Sequence, residues 1–342
     1  MKFFLKSIFT IFRLTRKKFF KILNIIGIFI FFNIPSVLGY YIENLPATPV
    51  MNDIVLGPGK TELWLDPGAK TTKELMITNR TGKTKKFKIE IEDFTGSRDP
   101  SVPLILLGEE RGPYSLKDFL KLEINEFVLE HGQRMVLPVE ILIPEDAEPG
   151  GRYGSVLIRT VPMLTEEEIE KEKAKGQIAL VNRLGTLFYI RIKGDIKEEG
   201  FLKDFKLKDN KKFYEKPLIS FQFYFENNGN VHLTPYGIIE IKNFLGKKID
   251  EIELQPGFVL PDSLRLREVK WEKRFLLGRY TAFAFINRGY KDIKTREDII
   301  DQKYLIFWII PWKIIIGGII VLFLIIWGFY WITTNFEFRR KI

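Results

Sequence analysis

Two uninterrupted apolar runs lie near the ends of the chain, and between them runs a long region of short stretches in which apolar and polar residues alternate. The alternation is clearest in "KFKIEIEDF", where Phe87, Ile89 and Ile91 fall on one side and Lys88, Glu90 and Glu92 on the other. A period of two is that of a strand with one wet face. The preceding "KELMITN" alternates in the same way, and "NRTGK" between them supplies Asn and Gly for a hairpin turn. Further strands are predicted in "EFVLEHGQRMVLPVEILIP", in "RYGSVLIRTVP" and in "LGTLFYIRIKG". A second block begins near Phe201 with "LISFQFYFENNGNVHLTPYGIIEIKNFLGKKIDEIEL" and "GRYTAFAFINRG". In "FQFYF" three phenylalanines alternate with Gln222 and Tyr224, which assigns Phe221, Phe223 and Phe225 to a core. Short strands punctuated by Gly, Asn and Pro, without amphipathic crossover helices, favour β-sandwiches over a parallel α/β fold.

The two apolar runs set the organisation. Residues 1–39 carry a basic start, an apolar stretch and "VLG", which describe a signal peptide with cleavage after Gly39, or an uncleaved signal anchor. Near the other end, "IIIGGIIVLFLIIWGFYW" has no charge, and its apolar character extends back to Tyr304. That is enough for a bilayer-spanning helix. Trp308 and Trp312 on one side, and Trp327, Tyr330 and Trp331 on the other, stand where aromatic belts form. Arg339, Arg340 and Lys341 place the C-terminus in the cytoplasm and the intervening region outside the cell membrane. The expected order is therefore an all-β region of two tandem immunoglobulin-like β-sandwiches, at 40–195 and 196–303, then a transmembrane helix at 304–332 and a basic tail at 333–342. An insertion at 97–120 interrupts the first sandwich, and "TEEEIEKEKAKG" is a solvated loop or short helix.

Charge changes the picture less than its total suggests. The net charge is +10. Residues 1–39 hold seven cations and no acid, and residues 304–342 hold four cations and one acid, so residues 40–303 balance at 42 of each. The basic excess is a topology signal, and nothing points to nucleic acid as a partner. With no cysteine, disulfides, thiolate catalysis and thiolate metal sites are excluded.

The one glycine-rich stretch is "IPEDAEPGGRYGSVLI", residues 143–158. A phosphate-cradling loop requires a following helix, but here a β-branched run follows. The stretch reads as a corner leading into a strand, with Tyr153 packing at the end of a sandwich. His131 and His232 lie far apart in sequence and lack metal-ligand spacing, so both read as structural or surface residues, and no cofactor is expected. Glu90, Glu92 and Asp93 read as a solvated strand face, and Glu166 to Glu168 as a charge run, rather than as a pair of catalytic acids. No enzymatic activity is expected. "LPATP", residues 45–49, ends in Pro and lies far from the C-terminal run, so it reads as a linker and not a sorting signal. Asn79-Arg80-Thr81 fits a glycosylation sequon but falls in the hairpin turn, where Asn is wanted for its conformation. The binding candidates are aromatic: Tyr224, on the polar side of "FQFYF", and Trp64 and Trp271.

"LDPGAKTTKELMITNRTGKTKKFKIEIEDF", "LPVEILIPEDAEPGGRYGSVLI", "NNGNVHLTPYGIIEIKNFLGKKI" and "LPDSLRLREVKWEKRFLLGRYTAFAFINRGY" follow one another in an order that resembles the WxL-interacting proteins. These and related bacterial surface proteins have tandem immunoglobulin-like domains and a C-terminal membrane anchor. The resemblance implies a membrane-anchored binding or scaffold protein engaging the cell wall, through peptidoglycan, or another surface protein in adhesion. The shared motifs lie at turns and core positions, so no binding residue carries over. Two alternatives remain: a membrane-tethered chaperone acting by strand pairing, and a carbohydrate-binding accessory module.

Overall fold

The computed structural model describes residues 39–162, 183–274, 276–292 and 294–335. The expected signal segment, the charged run with Glu166 to Glu168 and the basic tail lie outside the described residues.

The first sandwich packs two sheets. One contains β1 (Tyr41–Asn44), β2 (Asp53–Gly57), β4 (Lys70–Arg80), β7 (Leu120–Lys121) and β9 (Gln133–Leu142), in the order β1-β9-β4-β2 with β7 also against β9. The other contains β3 (Lys60–Leu65), β5 (Lys85–Thr95), β6 (Ile105–Leu106), β8 (Glu126–Leu129), β10 (Gly150–Val161) and β11 (Arg183–Ile192). Its order is β3-β11-β10-β5, with β6 and β8 on β5. The second sandwich has a sheet of β12 (Gly200–Leu207), β14 (Leu218–Asn227) and β17 (Ser263–Glu272), in that order. Opposite it lie β13 (Phe213–Tyr214), β15 (Tyr236–Asn243), β16 (Lys248–Leu254), β18 (Gly278–Lys291) and β19 (Asp298–Ile309), ordered β13-β19-β18-β15-β16. Both are immunoglobulin-like, the class the alternation predicts.

The period-two pattern explains both cores. Phe87 and Ile89 point inward onto Leu75, Leu137 and Phe188, while Lys86 and Lys88 pair outside with Glu126 and Glu90. Phe221, Phe223 and Phe225 are buried as assigned, and Phe221 meets Phe307 and Trp271. Asn79 is fully buried at the end of β4. Its Nδ2 donates to the carbonyls of Lys83 and Leu129, and its Oδ1 accepts from the Thr81 amide and hydroxyl. A side chain spent in this way closes the turn and leaves no amide free for a glycan.

Two expectations are corrected. Residues 304–309 do not belong to the apolar helix; they complete β19, which pairs with β18 from Gly278↔Ile309 onward. The helix, α1, runs Trp312–Asn335. The misreading has a physical cause: Leu305, Phe307 and Ile309 fill the core while Tyr304, Ile306 and Trp308 are exposed on the opposite face. A strand that is apolar on both faces shows no alternation. At 24 residues and a mean hydropathy of 2.5, α1 is still long and apolar enough to cross a membrane. The second correction is Asp93, which is not on a solvated face. It is fully buried, accepting from the amides of Leu116 and Lys117 at 2.9 Å each and from the Ser115 hydroxyl. It thereby fixes a one-turn 3-10 helix at Lys117–Phe119 within the 97–120 insertion.

Candidate functional site: the joint between the sandwiches

The glycine-rich corner is where the two sandwiches meet. Gly150 has φ +139, a conformation open to glycine, and lies against Asn230 of the second sandwich, whose carbonyl accepts the Gly151 N–H at 2.8 Å. A Cβ on Gly151 would stand 2.0 Å from the Tyr153 phenolic oxygen, so glycine is what admits the phenol. Tyr153 is fully buried, its ring packed among Phe94, Tyr114, Tyr189 and His232.

His232, also fully buried, is fixed as one tautomer by its partners. Its backbone N–H donates to the Tyr153 oxygen at 2.6 Å, and the phenolic O–H donates back to Nδ1 at 3.2 Å. Nε2–H then donates to Glu62 on β3 at 3.0 Å. Beneath it, Arg191 binds Glu198 at 2.7 Å and the His232 carbonyl, and its guanidinium lies 4.7 Å from the Trp64 ring. Burial holds the His232 pKa below its ordinary value, against the opposing pull of Glu62, and the hydrogen bond from His232 holds the Glu62 pKa down.

These shifts have a sign that can be measured. Lys60, Arg191, Tyr153 and Tyr189 also face this imidazole, and only Glu62 favours its protonation. The unfolded chain takes up a proton at His232 as pH falls through 6.5, whereas the folded chain resists it, so stability is full above that pH and declines below it. Glu62 adds a further loss at lower pH, because its bonded carboxylate must be protonated. Thermal melts of the detergent-solubilised full chain between pH 5 and 8 should show the midpoint falling on the acid side, with His232→Gln flattening the slope. A midpoint independent of pH there would contradict this account of the joint.

The insertion braces the joint from one side. Ser97 and Pro100 carbonyls accept from the Leu264 and Leu266 amides, laying a segment of the first sandwich along the start of β17. Arg98 pairs with Glu226 at 2.8 Å, and the Tyr114 hydroxyl donates to Asp262 at 2.9 Å. Burial, assisted by Asp262, pushes the Tyr114 pKa up to about 12.

On its other side the joint is open. Among the described residues β3 ends its sheet, pairing only with β11, so its second edge carries no strand there. Beside that edge Lys60 lies 3.9 Å from the Phe258 ring, and Phe258 stacks on Tyr189 at 4.6 Å. Arg265 acts electrostatically on the Tyr189 hydroxyl, and Arg267 reaches over Gly257 and the Phe223 ring. Burial lowers the pKa of both arginines, and neither has a carboxylate partner among the described residues. Partly buried guanidinium groups without counter-charges are costly unless an anion arrives.

The structure scatters the sequence-derived candidates. Trp64 is 56% exposed at the rim of this joint. Tyr224 is half-buried on the outer face of β14, its ring under Lys206 at 4.6 Å and its hydroxyl on Gln222. Trp271 is excluded as a surface residue: it is 3% exposed, inside the second core, with Nε1 donating to Asp250 at 2.7 Å. Glu90 and Glu92 are engaged by Arg159 and Arg183. His131 accepts the Gly82 N–H and lies 3.0 Å from the Thr48 carbonyl, so it ties a turn to the strand leading from β1. Among the described residues no cluster of His, Asp and Glu has the makings of a metal site. Of the two readings the sequence left for His232, structural or surface, the structure takes the structural one; sequence reasoning missed Arg265 and Arg267. The only local signal for the arginines was their place at alternate positions in "LRLRE", where a core-facing strand would carry apolar residues.

No family model matches the chain, and no curated protein does. Among solved structures it is similar to the class 5 fimbriae chaperone CfaA, with a TM-score of 0.38 and 12% identity over 73% of this chain and 99% of that one. A complex of the CsuC chaperone with the CsuE tip adhesion subunit, from Acinetobacter baumannii, gives a TM-score of 0.35 and 8% identity over 73% and 97%. The Escherichia coli chaperone DraB gives 0.31 and 11% over 75% and 96%. With TM-scores below 0.5, none of these likenesses bears on function.

Proposed function

We propose that this is a non-catalytic, membrane-anchored binding protein whose joint holds an extended, acidic segment of another surface polypeptide. In this reading residues 40–195 and 196 onward act as two domains outside the membrane, α1 holds them to it, and the basic residues after α1 remain inside. The observation that carries the reading is a pair of partly buried arginines without carboxylate partners among the described residues, Arg265 beside Tyr189 and Arg267 over Gly257, together with the β3 edge that has no paired strand among those residues. An added strand would satisfy the free main-chain groups of β3, and its carboxylates would meet Arg265, Arg267 and Lys60. This is nearer to strand-pairing chaperone action than to a passive scaffold. Membership of the WxL-interacting proteins fits the same architecture and rests on the turn motifs alone.

The test is an array of extended decapeptides probed with the full chain in detergent. Peptides alternating apolar residues with Asp or Glu should bind, and Arg265→Glu with Arg267→Glu should reduce their binding at least tenfold. Retention of binding by the double variant would refute the reading. A second reading, cell-wall binding, is favoured by one observation: Arg191 covers one face of the Trp64 indole, whose ring is otherwise exposed, as a sugar-stacking residue would be. It requires that purified sacculi retain the wild-type protein and release Trp64→Ala.

A further inference from the structure

Two adjacent, strongly exposed apolar side chains of the second sandwich stand at the tip of the β15–β16 hairpin: Phe244 is 63% exposed and Leu245 75% exposed. The tip is not a loose loop. Asn243 Oδ1 accepts from the amides of Leu245 and Lys247, the Asn243 N–H donates to the Lys247 carbonyl, and Gly246 turns the chain at φ +78. Two large apolar residues are thus held outward by a turn that closes without them, so the core gains nothing from them.

Register places this tip. Asn243 pairs with Tyr280 on β18, and Tyr280 pairs with Phe307 on β19, two residues before β19 ends at Ile309. Phe244 and Leu245 therefore reach the level at which the chain leaves the sandwich for α1. β15 is two strands from β19, so the tip stands about 10 Å to one side of that exit. The exit itself is fastened. Ile310 N–H donates to the Tyr214 carbonyl at 2.7 Å, Lys313 pairs with Glu215 at 2.9 Å, and α1 begins at Trp312. The same end exposes Phe213, stacked with Trp308 at 6.4 Å. Lys211, Lys247 and Arg279 are exposed there too, with no acidic partner among the described residues. Exposed apolar side chains flanked by unpaired cations are the composition that binds an anionic bilayer interface.

We infer that the β15–β16 tip is a second membrane contact, with Phe244 and Leu245 inserted into the headgroup region of an anionic leaflet beside α1. The inference rests on α1 spanning a bilayer, and not on the peptide-binding reading of the joint. Two attachment points, one at the helix and one at the tip, fix the rotation of the sandwich about α1 and so fix which way the joint faces.

The natural chain lacks cysteine, so Leu245→Cys creates a single labelling site in the full protein. A control, Glu297→Cys, lies in the β18–β19 turn at the opposite end of the sandwich. Each is labelled with a polarity-sensitive fluorophore and reconstituted into phosphatidylcholine vesicles with and without phosphatidylglycerol. The expected result at 245 is blue-shifted emission, quenched by lipids bearing a nitroxide near the headgroup and strengthened by phosphatidylglycerol, with neither effect at 297. Water-like, unquenched emission at 245 in protein that resists carbonate extraction would overturn the inference while leaving the anchor intact. A blue shift without lipid quenching would also overturn it, because the tip would then be covered by protein. Extraction by carbonate would remove the anchor reading and the inference together.

Discussion

Tyr153→Ala should cost about 3–5 kcal/mol, the range for truncating a large buried aromatic, and should register as loss of coupling between the sandwiches. The ring is packed by groups from both of them, and among the described residues its oxygen is the one acceptor of the His232 N–H. Tyr153→Phe separates the two contributions. It keeps the ring and removes the oxygen, leaving a buried N–H unsatisfied at about 1–3 kcal/mol. Calorimetry of the full chain in detergent should show one transition for the wild type, a broadened or split one for Tyr153→Ala, and one shifted downward for Tyr153→Phe. If Tyr153→Phe melts with the wild type, the hydroxyl carries no stability and the polar network at the joint is incidental.

Phe307→Ala should cost a similar amount, about 3–5 kcal/mol, but within the second sandwich alone. Its ring is fully buried against Tyr280, Trp271 and Phe221, with centroids at 5.9, 5.9 and 6.0 Å. The variant also decides between two readings of one segment. A phenylalanine facing lipid in a spanning helix could be truncated with little effect on the melting of the domains outside. One in β19 could not, and hydrogen exchange should show β14, β18 and β19 losing protection while β4 and β9 keep theirs. Unchanged melting would return residues 304–309 to the helix.

The strands were legible because their alternation is enforced by burial: "KFKIEIEDF" and "FQFYF" can be folded in only one register without exposing phenylalanine. The segment "YLIFWI" was not legible, since its outer face is apolar for reasons that lie outside the sandwich and no period survives. Asp93 misled for the converse reason. It sits in a run of acids, but a bulge of neighbouring chain, Ser115 to Lys117, covers it and supplies three donors. The joint was hidden more deeply. The glycines of "PGGRYGS" were rightly read as a corner leading into a strand, yet what they make room for is the contact with Asn230 and the meeting of the Tyr153 phenol with His232, 79 residues further along the chain. Nothing local to either segment records such a meeting.

The way β19 runs into α1 has a mechanical consequence. A load drawn through α1 enters the sandwich at the C-terminal end of β19 and acts along the strand. Its bonds to β18 lie across that direction, so they are loaded in shear, many at once, rather than peeled one by one. β13 runs parallel to the last residues of β19, and the Lys212 carbonyl just before it and the Tyr214 carbonyl within it accept the Trp308 and Ile310 amides at the point where the pull arrives. A chain loaded through α1 in this way resists tension along the β18–β19 ladder, and under force the joint, held by side chains and a few main-chain bonds, is the part that yields first.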